Sequence, residues 1–579
     1  MVRLIHTCLC LMAGTHFCFA QTNILTTNPL AEQILLGNYD PADYAASTIV
    51  NVPSIIAAEL NTRISPDSLK SYILKMSTFK TRNTGSDTLS PVTGIGAARR
   101  WVHEQFETFS AENEDRLVVS YLQFNQTICG VGQHRNIMAV LPGANPSNNG
   151  VILIEGHLDS RCNVLCDTAC VAEGIEDNAT GTALVMELAR VMSAYTFENT
   201  IVFMATIGEE QGLLGANAFA AYIQQKNIPL RAVLNNDIIG GIICGQTSSP
   251  PSCPGLDQVD STSVRLFSFG AFNSKHKQLA RFIKLQYQKN ILPQASVPMN
   301  VRIMSPEDRT GRGGDHIPFR ERNYAAMRFT SANEHGDASN NANYADRQHT
   351  SGDVLGADTD GDGEVDSFYV DFNYLARNAV INANAAAMAA RNVPTPSDFT
   401  ATRVGNQLTV NITPTSTGAY RVALRTSTND WDSIFTLIGT TTGVFPCNPT
   451  GGLFASVASF DLHGVESLFS EEKLVAPSVS TNEPNEEPTP NIQLFQNRPN
   501  PFDEATWISF WVNEVPTYRS AWVQIVDLQG RVIEKIPVVL KQGLNETMYT
   551  HGYGVRGTFA YALVVDGQVV DVRQMIFAN

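Results

Sequence analysis

Short apolar runs rich in β-branched residues recur in the first half of the chain, at 136–141, 151–154, 201–207 and 232–235, and each reads as a buried strand. Between the second and third runs, Leu184, Leu188 and Val191 repeat at i, i+4 and i+7, with Val185, Ala189 and Met192 alongside. That is the apolar stripe of a helix packed on a sheet. Strand alternating with helix from Ala97 to Ala386 predicts an α/β fold with a mostly parallel, helix-covered sheet. Pro66 to Met76 also carries helical spacing, and the segment 21–77 that contains it is expected as a cap or propeptide ahead of a domain at 78–390.

At Val393-Pro394-Thr395-Pro396 the period changes. Gln407 to Ile412 and Tyr420 to Leu424 alternate, turn residues separate them, and 393–475 reads as a small β-sandwich similar to a fibronectin type III module. Residues 476–490 (APSVSTNEPNEEPTP) hold too few apolar side chains to offset the entropy of ordering and read as a linker. A second β-rich block follows at 491–579, with Ile508 and Phe510 alternating and a run from Val523 to Ile533.

The chain has 579 residues, 43% of them hydrophobic and 17% charged, which suits several packed domains and excludes a disordered chain. With 40 basic against 56 acidic residues, a net charge of −16 and no basic cluster, nucleic acid is not an expected partner. Residues 1–20 carry Arg3, an apolar stretch near Leu9 to Met12 and Cys18-Phe19-Ala20 before Gln21, the pattern of a secretory signal peptide. No later stretch is apolar enough to span a membrane, so a secreted or cell-surface location is expected. Past the leader seven cysteines remain: Cys129, Cys162, Cys166, Cys170, Cys244, Cys253 and Cys447. Cys162, Cys166 and Cys170 resemble a metal comb, but in an exported protein a disulfide-stapled loop is favoured. An odd number leaves at least one thiol without an intramolecular partner.

Candidate chemistry gathers at the strand ends. The strand 151–154 runs into Gly156-His157-Leu158-Asp159-Ser160, where Asp159 is placed to hold the His157 ring. Glu176-Asp177-Asn178 opens the striped helix, and alone Asp177 would read as its N-cap. The next strand ends in Gly208-Glu209-Glu210 and another in Asn236-Asp237. Adjacent acids are ordinarily a solvated turn, but beside a dication one carboxylate ligates while its neighbour stays free as a base. His349 follows in Asp346-Arg347-Gln348-His349-Thr350, after Gly314-Asp315-His316. Carboxyl ends of parallel strands converge on one crevice, so His157, Asp177, Glu210, Asp237 and His349 make a nitrogen and oxygen set suited to zinc.

At these residues the chain, over about 78–390, resembles the family 28 zinc metallopeptidases, which include secreted bacterial leucyl aminopeptidase-like enzymes with two zinc ions. The resemblance implies one zinc on Asp177, Glu210 and His349 and the other on His157, Asp177 and Asp237, with Glu209 as general base and Asp159 orienting His157. Glu176 replaces a frequent Asp and Gly314 a frequent Ser, and neither change removes a ligand. The implied function is a zinc exopeptidase, most simply an aminopeptidase acting on peptides or proteins. A glutaminyl cyclase on the same fold and a non-catalytic surface adhesin are the alternatives. Asp358, Asp360 and Asp362 resemble the start of an EF-hand calcium loop, although Tyr369 stands at the closing position. The block 491–579 resembles the type A C-terminal sorting domain of the type IX secretion system, through Phe495-Gln496-Asn497-Arg498-Pro499-Asn500-Pro501-Phe502 and Gly557-Thr558-Phe559-Ala560-Tyr561. That implies passage across the outer membrane by this machinery.

Overall fold

The four apolar runs form strands β3 (Val131–Leu141), β4 (Val151–His157), β5 (Thr200–Thr206) and β6 (Leu230–Asn236). With β1 (Thr22–Thr26), β2 (Val118–Ile128), β7 (Ser263–Phe267), β8 (Asn300–Ile303) and β9 (Ala326–Ser331) they make a nine-stranded sheet in the order β1-β2-β3-β5-β4-β6-β9-β7-β8. The computed structural model describes residues 21–578 apart from 49, 51, 244–257, 272, 310–311, 335–346, 427–428, 448–452, 476–490, 503, 519, 528–530 and 552–555. The expected leader and linker, Cys244, Cys253 and Asp346 therefore lie outside the described residues.

The centre of the sheet, β5-β4-β6-β9, is parallel, while β1, β2 and β3 add antiparallel strands on one side. Helices cover both faces. On one lie α2 (Pro53–Arg63), α3 (Pro66–Ser77), α4 (Gly94–Glu112), α5 (Thr180–Met192), α7 (Lys275–Gln286) and α9 (Phe372–Ala389), burying Leu69, Phe106, Leu184 and Leu188 against Ile154, Phe203 and Leu234. On the other, α1 (Pro29–Leu35), α6 (Leu214–Lys226) and α8 (His316–Glu321) cover Leu153, Met204 and Val233. Leu184 and Leu188 are fully buried, and truncating either to Ala costs about 2–5 kcal/mol. The segment expected as a cap or propeptide is built into this domain: β1 pairs with β2, and Leu60, Ile73 and Met76 join the core.

The two later blocks are antiparallel sandwiches. The first packs β12 (Phe399–Val404), β13 (Gln407–Ile412) and β16 (Thr442–Pro446) against β14 (Ala419–Arg425), β15 (Ser433–Ile438), β17 (Phe454–Ser459) and β18 (Lys473–Leu474), after a short hairpin, β10 (Gly356–Ala357) and β11 (Ser367–Phe368). The second, spanning 492–577, likewise pairs a three-stranded with a four-stranded sheet around Leu494, Ile508, Val523 and Tyr561. A buried ion cluster joins all three parts. Arg425 Nε lies 2.5 Å from Glu472 Oε1 and Arg425 Nη2 2.6 Å from Glu504 Oε2, while Arg281 of α7 lies 2.9 Å from Glu472 Oε1. No helix among the described residues is long and apolar enough to cross a membrane.

Candidate metal centre

Strand order reverses around β4, with β5 on one side and β6 on the other, which opens a crevice at their carboxyl ends. His157 closes β4, Glu209 and Glu210 follow β5 after Gly208 at φ 74°, and Asp237 follows β6. The start of α5 sits directly on these ends because Gly181 has no side chain: a Cβ there would meet Asn236 O at 2.2 Å. Asp177 does not cap α5. The Asn178 side chain accepts the Gly181 N–H at 2.9 Å instead, and Asp177 turns into the crevice. Two residues here hold left-handed backbone that their side chains disfavour, Ile238 at φ 59° directly after Asp237 and His349 at φ 57°. Such strain, of order 1–3 kcal/mol, collects at functional sites.

All five expected ligands meet. His157 Nε2 lies 3.2 Å from Asp177 Oδ1 and 3.5 Å from Asp237 Oδ1. His349 Nε2 lies 3.1 Å from Asp177 Oδ2 and 3.2 Å from Glu210 Oε2. Asp177 thus turns one oxygen to each imidazole. Ligand atoms of His157, Glu209 and Asp237 fall within 4.8 Å of one another, and so do those of Asp177, Glu210 and His349. His157 Nε2, Asp237 Oδ1 and Glu210 Oε1 are buried with no hydrogen-bond partner among the described residues. Unpaired buried oxygens crowded around imidazoles are costly without a cation, and the donor set fits one or two zinc ions.

Asp159 does more than hold the ring. His157 Nδ1 is 3.1 Å from the Asp159 carbonyl oxygen and 3.6 Å from its carboxylate. The carboxylate accepts the backbone N–H groups of Glu209 and Glu210, both at 3.3 Å, and the Thr84 hydroxyl at 3.1 Å. It fixes the turn that splays the two glutamates apart.

Several supporting residues had no local signature in the sequence. Arg328 reaches Asp237 Oδ2 at 3.3 Å and Asp308 Oδ2 at 3.0 Å. Asp353 accepts the backbone N–H groups of Glu176 at 2.9 Å and Asp177 at 3.1 Å. Arg161 donates to Glu210 Oε2 at 2.7 Å and contacts His349 Nδ1 at 2.6 Å. It leads into a loop closed by Cys162–Cys170 and tied by Cys129–Cys166 to the β2–β3 hairpin, which is a stapled loop and not a metal comb. Among the described residues Cys447 is the free cysteine.

Burial opposes charge throughout the site, and neighbours decide the outcome. Burial alone would lower His157, yet Glu209 and the carboxylates of Asp159, Asp177 and Asp237 around the ring carry it well above the usual imidazole value. Burial would raise Asp177, but His157 and His349 hold it well below the carboxylate range. Glu209 goes the other way, well above that range, through burial and the nearby Asp237 and Glu210. Burial likewise pushes Asp315, which accepts the Thr206 hydroxyl, up to about 7.

At the calcium-like loop the structure gathers Asp358 and Asp360 with Asp366, not with Asp362. Asp362 accepts the Glu364 N–H at 2.9 Å, and Asp358 accepts those of Gly361 and Gly363, so the exposed loop spends its oxygens on its own turn.

The profile of Peptidase family M28 matches residues 136–361, which span the whole ligand set. The chain is similar to a protein named "Probable zinc metalloprotease" of Pyrenophora tritici-repentis, 34% identical over 290 residues, covering 48% of this chain and 65% of that protein, a little under two thirds. A second of that name, from Leptosphaeria maculans, is 31% identical over 331 residues, covering 55% of this chain and 73% of its own length. Among solved structures, the Legionella pneumophila LapA aminopeptidase is similar at 17% identity and a TM-score of 0.41, over 59% of this chain and 75% of that one. The glutaminyl cyclase of Porphyromonas gingivalis is similar at 15% identity and a TM-score of 0.37, over 55% and 97%. With the ligand set assembled at the strand ends and this likeness in sequence, the chain belongs to peptidase family M28.

Proposed function

We propose that this chain is a zinc-dependent exopeptidase that removes N-terminal residues from peptides. The observation that carries the reading is Asp177 set between two imidazoles, each with further carboxylates, while Glu209 stands beside them as a spare base. His157, Asp177 and Asp237 would hold one zinc ion, and Asp177, Glu210 and His349 the other. Bound zinc supplies Lewis acidity, which acidifies a water and polarises a peptide carbonyl. Glu209 takes the proton from the attacking water and delivers it to the departing amine nitrogen as the C–N bond breaks. Asp159, holding the Glu209 and Glu210 N–H groups, keeps that carboxylate aimed. No part of this reading rests on calcium.

The test is release of amine from free-N-terminus aminoacyl chromophores by the purified full chain, with zinc quantified, beside Glu209→Gln. Expected is hydrolysis that falls on the order of 10²- to 10⁴-fold in the variant while zinc is retained. Cleavage confined to N-blocked peptides, pyroglutamate formed from N-terminal glutamine, or zinc bound without any hydrolysis would each overturn it. We propose further that residues 1–20 direct export and that the last sandwich is the address for the type IX machinery, which would place the enzyme outside the cell. Fractionation of cells expressing the chain without residues 491–579 tests this: retention inside the outer membrane is expected, and unchanged release refutes it.

A further inference from the structure

The two imidazoles of the centre are not equivalent. His157 Nδ1 faces an acceptor, the Asp159 carbonyl oxygen at 3.1 Å, which keeps a proton on Nδ1, so a metal would take this ring through Nε2. His349 Nδ1 faces a donor, Arg161 Nη2 at 2.6 Å. A guanidinium has donors only, so this contact makes Nδ1 the acceptor and puts the ring proton on Nε2, aimed at Asp177 Oδ2 and Glu210 Oε2 at 3.1 and 3.2 Å. Arg161 Nε also takes Glu210 Oε2 at 2.7 Å. Its remaining nitrogen donates to Cys162 O at 3.2 Å and Asn163 O at 3.3 Å, at the root of the loop closed by Cys162–Cys170, so the fork is carried on a cross-linked support.

A metal on His349 Nε2 requires that lone pair, which moves the ring proton to Nδ1 and sets two N–H donors against each other. The same guanidinium holds Oε2 of the Glu210 carboxylate and leaves only Oε1 without a partner. At the other corner Arg328 contacts Asp237 through Oδ2 and leaves Oδ1 and the His157 ring clear.

We propose that Arg161 is an internal cation competing with the second metal ion for the Asp177, Glu210 and His349 corner, which fills only as the Arg161 side chain is displaced. The inference rests on the two-metal reading above, and it makes that centre unequal: a tight site at His157 and Asp237 and a conditional one at His349.

The experiment is zinc titration of the metal-stripped full chain against a competing chelator, a readout independent of hydrolysis. Expected in the natural chain is one tight ion and a second at least about tenfold weaker. Arg161→Met, which keeps the length and removes the donors, should tighten the weaker ion by about 10- to 100-fold and leave the tight one unchanged. Arg161→Lys, which keeps the charge without the fork, should fall between. Retention of the tight ion in Arg161→Met reports an intact fold; if it is lost, the neutral Arg161→Gln decides in its place. Two equally tight ions in the natural chain, or a neutral variant that binds the second no better, overturns the proposal. A second ion on neither protein overturns it together with the two-metal reading. Absence of hydrolysis with both sites filled overturns the peptidase reading and leaves this one standing.

Discussion

Two buried polar clusters in this molecule have much the same ingredients and opposite character. At the junction of the three folded parts, Arg281 and Arg425 meet Glu472 and Glu504, and none of these side chains has a buried atom without a partner. At the metal centre His157, Asp177, Glu209, Glu210, Asp237 and His349 crowd together with buried ligand atoms left over. Burial density alone does not separate an adhesive from a reaction centre. What separates them is whether charges cancel and donors match acceptors within the protein, because an unmatched buried group is retained only where something else will use it.

Three substitutions press on this contrast. Arg425→Ala leaves Glu472 and Glu504 short of a cation and should cost about 3–5 kcal/mol in denaturant unfolding, with hydrolysis per folded molecule unchanged. A smaller loss, or a loss of turnover, would dissolve the distinction. Glu209→Gln should shift stability the other way. Its folded carboxyl is raised by burial and by Asp237 and Glu210, so near pH 7 the charged form costs stability. The metal-free variant should be about 1 kcal/mol more stable, and that gain should vanish in acid, where Glu209 is already protonated. Destabilisation by Glu209→Gln at pH 7 would contradict it.

The smallest effect concerns Lys277, beside the junction, whose Nζ donates to Met304 O and Ser305 O. Burial pushes its ammonium down to about 7. Between about pH 7 and 10.5 the unfolded chain holds a proton that the folded chain does not, so this group makes stability rise with pH across that window. Lys277→Met should flatten that part of the rise in Tm between pH 7 and 10; parallel curves would show that the buried amine is fully charged in the fold.

What could be read from the sequence was what is local. Strand and helix periodicity found β4, β5, β6 and α5, and strand ends pointed to His157, Glu209, Glu210 and Asp237, because a parallel sheet aligns such ends whatever lies between, while Asp177 and His349 reach the same crevice from loops. The supporting cast was illegible for the complementary reason. Arg161 and His349 are 188 residues apart, Arg328 and Asp237 are 91 apart, and no spacing rule marks an arginine that will meet a carboxylate across the fold. Asp177 misled as a cap because its neighbour Asn178 does that work. Asp362 misled because counting alternate acids ignores the turn that brings in Asp366 instead.

The bond from the Asp177 N–H to Asp353 joins residues 176 apart, and the segment that supplies Asp353 also supplies His349. Closing so long a loop costs entropy that only the finished contacts return. During synthesis the chain therefore carries the strand-end carboxylates as an open, incomplete set for as long as it takes to make everything up to residue 353. The crevice has both of its imidazoles only once residue 349 has been made.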